Sequence, residues 1–148
     1  MTRAEFLNEL NGWKIPLLPV CSFRSLELAQ SALQQMKAAI LPAAYLDLLQ
    51  TVSGGLVIGD AVLFNADKII RQTGGGQEIP GIIEINRELA GLPGMGGKTL
   101  IGRNGLFWFT ADSFGNCYML DIITLSVMRK YENDFYGAVR DCLAVGRV

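Results

Sequence analysis

Few residues of this chain could act in catalysis or bind a metal, and the most informative observation is that its 148 residues include no histidine. Without histidine, the Ser-His-Asp and Cys-His arrangements, zinc sites that need histidine and the commonest general base near neutral pH are all unavailable. Carboxylates, lysine and tyrosine remain, but no nucleophile is paired with a base. The sequence therefore predicts a protein that is not an enzyme and that has no metal or cofactor site.

Asp112 and Asp121 are the carboxylates most open to a chemical role, because they flank one predicted strand. In two turns they could act as a pair or hold a hard cation. Aspartate is also a standard turn residue, since its side chain accepts hydrogen bonds from backbone groups a couple of residues on, and this is the favoured interpretation. The alternative is an enzyme based on these aspartates or on the loop 91–105, in which Asp112→Asn or Asp121→Asn would abolish an activity while the fold survives.

The sequence Gly96-Gly97-Lys98-Thr99 matches the end of a phosphate-binding loop. Leu92, however, stands where such a loop needs its first glycine, and a strand is predicted where a helix should follow. The favoured interpretation is a surface loop that leads into a strand.

Charge and hydropathy limit the kind of partner. The chain has 13 basic and 14 acidic residues, so it lacks the basic field that binding to a nucleic-acid backbone requires. Only 18% of residues are charged and 50% are hydrophobic, whereas about 25% charged residues are usual. The apolar surplus predicts either a generous core or an apolar surface for a partner.

The cysteines and the N-terminal segment indicate an intracellular protein. Cys21, Cys117 and Cys142 are odd in number, widely spaced and outside any C-x-x-C frame, so they are predicted to be reduced core thiols. The N-terminal segment lacks the apolar core of a signal peptide, and the longest run without a polar residue, nine residues at 38–46, is broken by Pro42. A cytoplasmic location without membrane contact is expected.

Three helices are predicted in the N-terminal third, each from a cap and from apolar residues three or four positions apart. They cover about 3–10 with Thr2 and Glu5 as a capping box, from Ser22 or Ser25 to Ile40, and from Pro42 to Gly54-Gly55. Their buried stripes are predicted to contain Leu26, Ala29, Leu33, Met36 and Ile40 in the second helix, and Tyr45, Leu46, Leu49 and Val52 in the third.

The remainder of the chain predicts a sheet. Short strands are expected at LVIG, AVLF, TLIGR, LFWFTAD, NCYMLDI and LSVMRKY. The last four form an antiparallel meander with turns at about 103–105, 113–116 and 122–124. Helices are expected at about 66–71, at 82–89, and from 132 to 145 with Asn133 or Asp134 near its cap. The predicted fold is a single α+β domain over 1–148, with N-terminal helices, a central antiparallel sheet and a C-terminal helix packed on it.

A partner-binding surface is predicted on the turns and strand ends of this sheet, because solvent-facing turns on a rigid sheet often carry binding residues. The candidates are Trp108, Asp112, Ser113 and Asn116. In the run 107–109 successive rings must face opposite sides of a strand. The second side is either another core layer under a helix or an exposed surface in which Trp108 anchors a partner.

Four segments resemble the SUKH superfamily, which includes the fungal Smi/Knr-type cell-wall-assembly regulators and many bacterial proteins. They are L-P-x-x-Y-x-x-L-L with S-G-G-L over 41–56, I-G-R over 101–103, D-x-F-G-N-x-Y-x-L-D over 112–121, and a closing helix around 134–135. The resemblance covers about 40–145 and leaves 1–40 as a helical extension. It implies an α+β fold with a largely antiparallel sheet and no catalytic residues.

The resemblance also implies a function. Bacterial members are implied to be immunity proteins that bind and neutralise toxin domains, often nucleases, and fungal members to be regulatory scaffolds. The expected partner is thus a protein, with a homodimer left open; the alternative is a scaffold that binds endogenous proteins or a small ligand. The balanced charge differs from the strong acidic bias of many immunity proteins, so capture of a basic nuclease by charge alone is not expected.

Overall fold

The computed structural model describes residues 1–66, 69–70, 78–79, 81–89, 91–92 and 95–144. The first helix, α1, covers Arg3–Trp13 and begins with the predicted capping box. The Thr2 hydroxyl accepts a hydrogen bond from Glu5 N at 3.2 Å, and the Glu5 carboxylate accepts one from Thr2 N at 3.1 Å. The helix is three residues longer than predicted.

Helix α2, Phe23–Gln35, is shorter than predicted. Ser22 caps it, accepting a hydrogen bond from Ser25 N at 3.1 Å. The helix ends where Lys37 takes the left-handed conformation, with φ of 58°, and Ala38 N donates to Leu33 O at 2.9 Å. The prediction that this helix reaches Ile40 is wrong, because the Schellman-type ending closes the last turn five residues earlier.

Helix α3, Ala43–Thr51, starts after Pro42 as predicted. Its fully buried face consists of Tyr45, Leu48 and Leu49, whereas the predicted Leu46 and Val52 are only partly buried. The Tyr45 hydroxyl donates to the carbonyl oxygens of Phe64 and Ile101. This side chain therefore ties the helical third of the chain to the sheet.

The described residues contain the strands β1 Leu56–Ile58, β2 Ala61–Leu63, β3 Ile69–Ile70, β4 Glu78–Ile79, β5 Lys98–Arg103, β6 Phe107–Asp112, β7 Cys117–Asp121 and β8 Val127–Tyr131. They form a six-stranded antiparallel sheet in the order β1-β2-β5-β6-β7-β8 and a two-stranded sheet of β3 and β4. The meander β5 to β8 and its three turns are confirmed. The helix predicted at about 66–71 is wrong where the chain is described, because the β-branched pair Ile69–Ile70 is a strand.

Two further helices cover the sheet. Helix α4, Ile82–Leu89, has the predicted bounds and packs beside β5. There the Asn86 side-chain amide both donates to Leu100 O at 2.9 Å and accepts from Leu100 N at 2.7 Å, as a neighbouring strand would. Helix α5, Phe135–Ala144, packs on the sheet and is capped by Asp134, which accepts from Gly137 N at 3.0 Å. The α+β fold with a C-terminal helix on the sheet is confirmed.

The close contact between β5, β2 and α5 depends on Gly102. A Cβ atom at this position would lie 2.7 Å from the Val62 carbonyl oxygen and 3.5 Å from Cys142 Sγ. Since real Cβ atoms essentially never approach a carbonyl at that distance, any larger residue would push the strands apart. The glycine of the I-G-R segment therefore has a packing role.

The three cysteines are buried in the core, as predicted. Burial raises the pKa of Cys117 to about 12 and also raises that of Cys142. These thiols stay protonated near neutral pH, and a thiol is a weak nucleophile. In the described ranges no helix is long and apolar enough to cross a membrane.

Candidate binding surfaces at the two ends of the sheet

The four candidate residues are divided between two ends of the meander. Asp112, Ser113 and Asn116 belong to the β6–β7 turn, whereas Trp108 lies near the start of β6. At about 3.3 Å per residue, Trp108 is about 13 Å from Asp112 along the strand. The structure therefore brings three of the four together and places the tryptophan in a different surface.

Asp112 organises the β6–β7 turn. Its carboxylate accepts hydrogen bonds from Phe114 N at 2.9 Å, Asn116 N at 3.0 Å and the Tyr118 hydroxyl at 2.8 Å. Burial is the largest influence on this carboxyl and raises its pKa, but the hydrogen bonds, led by that from Tyr118, outweigh it and the pKa is lowered overall. The interpretation of Asp112 as a turn residue is confirmed.

Two further features hold this turn in one conformation. The Asn116 side-chain oxygen accepts a hydrogen bond from Asn133 N at 3.0 Å, which joins the turn to the segment that precedes α5. Gly115 has φ of 87°, a conformation that glycine adopts without steric cost. The turn is thus fixed both from within and from a neighbouring loop.

Phe114 projects from this fixed turn, and the residue is 87% exposed. Beside it lies an open groove of about 450 Å³ whose lining includes Ile40, Pro42, Ala43 and Tyr136. Ile40 is itself 41% exposed. We call the turn residues 112–116 together with this groove the Phe114 end.

Phe114 was not among the residues predicted from the sequence, although it stands in the D-x-F-G-N segment. The signal was present: Ser113 and Gly115 are turn formers, so an aromatic residue between them belongs to no strand and has no sheet face to bury it. Ser113 is exposed and lines the groove, as a surface residue should.

The opposite end of the meander carries a second apolar surface. Ile123 is 87% exposed in the β7–β8 turn, and Leu106, in the adjacent β5–β6 turn, is 57% exposed. Ile123 lines an apolar groove of about 320 Å³, and the Leu106 carbonyl oxygen accepts a hydrogen bond from Ile122 N at 3.3 Å. The groove is lined by Leu89, Leu92, Met95, Leu100, Trp108, Ile122, Ile123 and Leu125. We call this region the Ile123 end.

Trp108 forms part of the wall of that groove. It is partly buried, it packs against the core, and the Arg103 guanidinium lies 5.7 Å from its ring centroid. Phe109, its neighbour, is buried on the α5 side, where its ring lies 6.4 Å from that of Tyr131. The rings thus face both sides of the strand, and the side of Trp108 is only partly covered.

Asp121 repeats the turn chemistry at the Ile123 end. Its carboxylate accepts hydrogen bonds from Ile123 N at 2.9 Å and Thr124 N at 2.8 Å. The bond from Thr124 N is the main cause of its lowered pKa, followed by that from Ile123 N. Because Asp121 pairs with Phe107 at the far end of β6 from Asp112, the two aspartates do not form a carboxylate pair.

The other chemical possibilities can be located as well. Lys98 opens β5, so the glycine-lysine sequence leads into a strand and not into the helix that a phosphate-binding loop requires. Among the described residues no group of three or more histidine, cysteine, aspartate or glutamate side chains is placed to hold a metal ion. At the ends of the meander, the two apolar surfaces are therefore the features to which a function can be attached.

Comparison with known proteins gives no relative of this chain. No protein-family model, no curated protein and no solved structure matches it. The resemblance to the SUKH superfamily remains a prediction from its motifs, and the geometry of the two surfaces must support any functional argument.

Proposed function

We propose that this protein acts by binding a protein partner at the Phe114 end and that it is not an enzyme. The observation that carries the proposal is Phe114, an aromatic side chain 87% exposed on a turn held by several hydrogen bonds. An exposed aromatic ring gains free energy when a partner removes it from water. Because the turn is already ordered, little conformational entropy is lost on docking.

The groove beside Phe114 favours a protein over a nucleic acid as the partner. Its lining is largely apolar, which suits the side chains of a protein, and aromatic anchors next to apolar recesses are typical of binding hot spots. The balance of 13 basic against 14 acidic residues supplies no excess of cations for phosphates. The interface is expected to depend on apolar contact more than on charge.

The more specific proposal is an immunity-type protein that neutralises a toxin domain in the cytoplasm. It is supported by the motif resemblance and by the lack of histidine. The turn links the resemblance to the proposed surface, because Asp112, Asn116 and Tyr118 of the D-x-F-G-N-x-Y segment all take part in the bonds that hold Phe114 in place. A regulatory scaffold that binds endogenous proteins is the alternative.

The test is an affinity capture of tagged protein from cells of its own source, after nuclease treatment, with quantitative mass spectrometry. Wild type is compared with Phe114→Ala and with Ile123→Ala, a control residue of equal exposure at the other end. We expect one near-stoichiometric partner that Phe114→Ala loses and Ile123→Ala retains. Loss of a hot-spot aromatic should weaken binding about 30-fold or more.

The identity of the partner then decides between the two specific proposals. A toxin domain, together with protection of cells that co-express it, supports the immunity function, whereas envelope-synthesis proteins support the scaffold. A partner retained equally by all three proteins would overturn the assignment of the Phe114 end. Both alanine variants should unfold within about 0.5 kcal/mol of wild type, since neither side chain is buried.

A further inference from the structure

The Ile123 end combines a projection and a recess in one small area. Ile123 stands 87% exposed at the tip of the β7–β8 turn. Asp121 holds this turn through two backbone N–H groups. Leu125 closes it with φ of 61°, an unusual conformation for a bulky residue. The projection is thus held in a fixed position at a conformational cost.

The recess beside Ile123 is the apolar groove of about 320 Å³, and all of its described lining residues are hydrophobic. Its floor includes Leu100, which is fully buried, and its wall includes Trp108. Leu92 on its far rim is 42% exposed. The groove is large enough for a branched aliphatic side chain, and its described lining presents mainly apolar surface, which favours an apolar side chain.

We propose that the Ile123 end is the interface between two copies of this chain, with Ile123 of each copy inserted into the groove of the other. A two-fold interface uses the same patch on both copies, so it must be self-complementary. A projection beside a recess of matching chemistry meets that requirement, because one rotation fills both recesses at once. A different partner with a single projection would fill the groove and leave Ile123 in water.

The charges around the patch agree with this arrangement. Arg103 ends β5 and Asp121 ends β7, so cation and anion lie on opposite sides of the start of β6. A two-fold axis normal to the sheet at this end exchanges the two sides. It therefore brings Arg103 of each copy towards Asp121 of the other, which is a favourable pairing at the rim.

Further exposed apolar residues extend the contact. Leu106 is 57% exposed and Val127, at the start of β8, is 50% exposed. A stable interface buries about 800 Å² on each partner, with an apolar centre and a polar rim. The groove lining supplies such an apolar centre, and Arg103 and Asp121, which are not part of that lining, supply charged groups beside it.

The test measures mass in solution by light scattering and by sedimentation, over protein concentrations up to about 100 µM because dimerisation follows mass action. We expect wild type to reach twice the 16.1 kDa mass of one chain, and Ile123→Asp to remain at the single-chain mass. Phe114→Asp is the matched control and should dimerise like wild type, since Phe114 is equally exposed at the opposite end.

Monomeric wild type at the highest concentration would overturn the proposal, and so would Ile123→Asp that still dimerises or Phe114→Asp that does not. Oligomers larger than a dimer would overturn the reciprocal two-fold arrangement. If Ile123→Asp fails to fold, Leu106→Asp in the neighbouring turn replaces it, with loss of the dimer expected again. The result is independent of the proposed function, because loss of the partner in a Phe114 variant leaves the dimer unaffected.

Discussion

The two ends of the meander are built by the same local chemistry and present different surfaces. At each end an aspartate accepts hydrogen bonds from backbone N–H groups two to four residues on and leaves an apolar side chain 87% exposed. At one end the side chain is Phe114, beside an open groove of about 450 Å³. At the other it is Ile123, beside a groove of about 320 Å³ whose described lining is entirely hydrophobic. One turn design can thus serve two kinds of contact.

The ends also differ in how deeply they are anchored. Asn104, only 3% exposed, donates to Cys142 O of α5 at 3.1 Å and accepts from the backbone N–H groups of Leu106 and Phe107, each at 2.9 Å. At the Phe114 end, by contrast, the Asn116 side chain accepts its hydrogen bond from Asn133 N at the surface. A buried side chain therefore joins the β5–β6 turn, at the Ile123 end, to α5, whereas the bond that joins the Phe114 turn to a neighbouring loop lies at the surface.

The largest effect on the free energy of unfolding should come from removing the buried Asn104 side chain. Asn104→Ala leaves two backbone N–H groups and one buried carbonyl without their partner, and we expect it to lower the free energy of unfolding by about 3 kcal/mol. Asn116→Ala, where water can replace the lost bond, should lower it by about 1 kcal/mol. Urea unfolding followed by circular dichroism measures both. Equal losses would show that the two anchors are equivalent.

Removal of the carboxylate of the Phe114 turn should have the next largest effect. Asp112→Ala removes the acceptor for Phe114 N, Asn116 N and the Tyr118 hydroxyl, with an expected cost of about 1.5 kcal/mol. It should also weaken partner binding, because Phe114 is no longer held. Asp112→Asn, which keeps an acceptor oxygen, should retain more of both properties. Titration with the captured partner would contradict the proposal if Asp112→Ala bound like wild type.

The backbone at the two turns provides a smaller contrast. Gly115→Ala places a Cβ at φ of 87° and should cost about 1 kcal/mol. Leu125→Gly should change the free energy of unfolding by less than that, since relief of the left-handed conformation offsets the loss of a partly buried side chain. Thermal unfolding compares the pair. A large loss for Leu125→Gly would mean that packing in the groove outweighs backbone strain.

The smallest expected effect is on the stability of the folded protein at acid pH. The pKa values of Asp112 and Asp121 are lowered in the folded protein, so at acid pH the folded state binds fewer protons than the unfolded state. Their stabilisation is present above the ordinary carboxyl pKa and is lost as the pH falls through the lowered values. Asp112→Asn and Asp121→Asn should each flatten part of this acid loss, because each removes a carboxyl group whose pKa is lowered in the folded state. Urea unfolding at pH from about 5 to about 2 tests this; parallel profiles for wild type and both variants would contradict it.

Much of the fold could be predicted from sequence because its signals are local. The capping box at Thr2 and Glu5 and the turn roles of Asp112 and Asp121 involve bonds across two to four residues, which residue type and spacing reveal. The helix expected at about 66–71 was wrong, since Ile69–Ile70 pairs with a strand nine residues further on. The end of α2 was also wrong, because a lysine takes the left-handed position that usually carries glycine.

The candidate site could be predicted only in part. Asp112, Ser113 and Asn116 were identified because aspartate, serine and asparagine are the residue types that commonly form turns. Trp108 was grouped with them, but β-strand geometry puts it about 13 Å away along β6. Phe114 was missed, although its place in a turn between Ser113 and Gly115 indicated that no sheet face buries it. The groove beside it is formed by segments distant in the chain, so residue types near Phe114 do not reveal it.

The caps, the turns and the antiparallel meander follow from residue types and spacing, since each depends on contacts between residues close together in the chain. The packing of distant segments sets the remaining features: β5 lies next to β2, Asn86 and Asn104 satisfy backbone groups of other elements, and some aromatic rings stay exposed. Burial depends on distant segments that come together, and residue type alone does not reveal it. Phe109 and Phe114 have the same side chain, yet one is 1% exposed under α5 and the other 87% exposed at a turn.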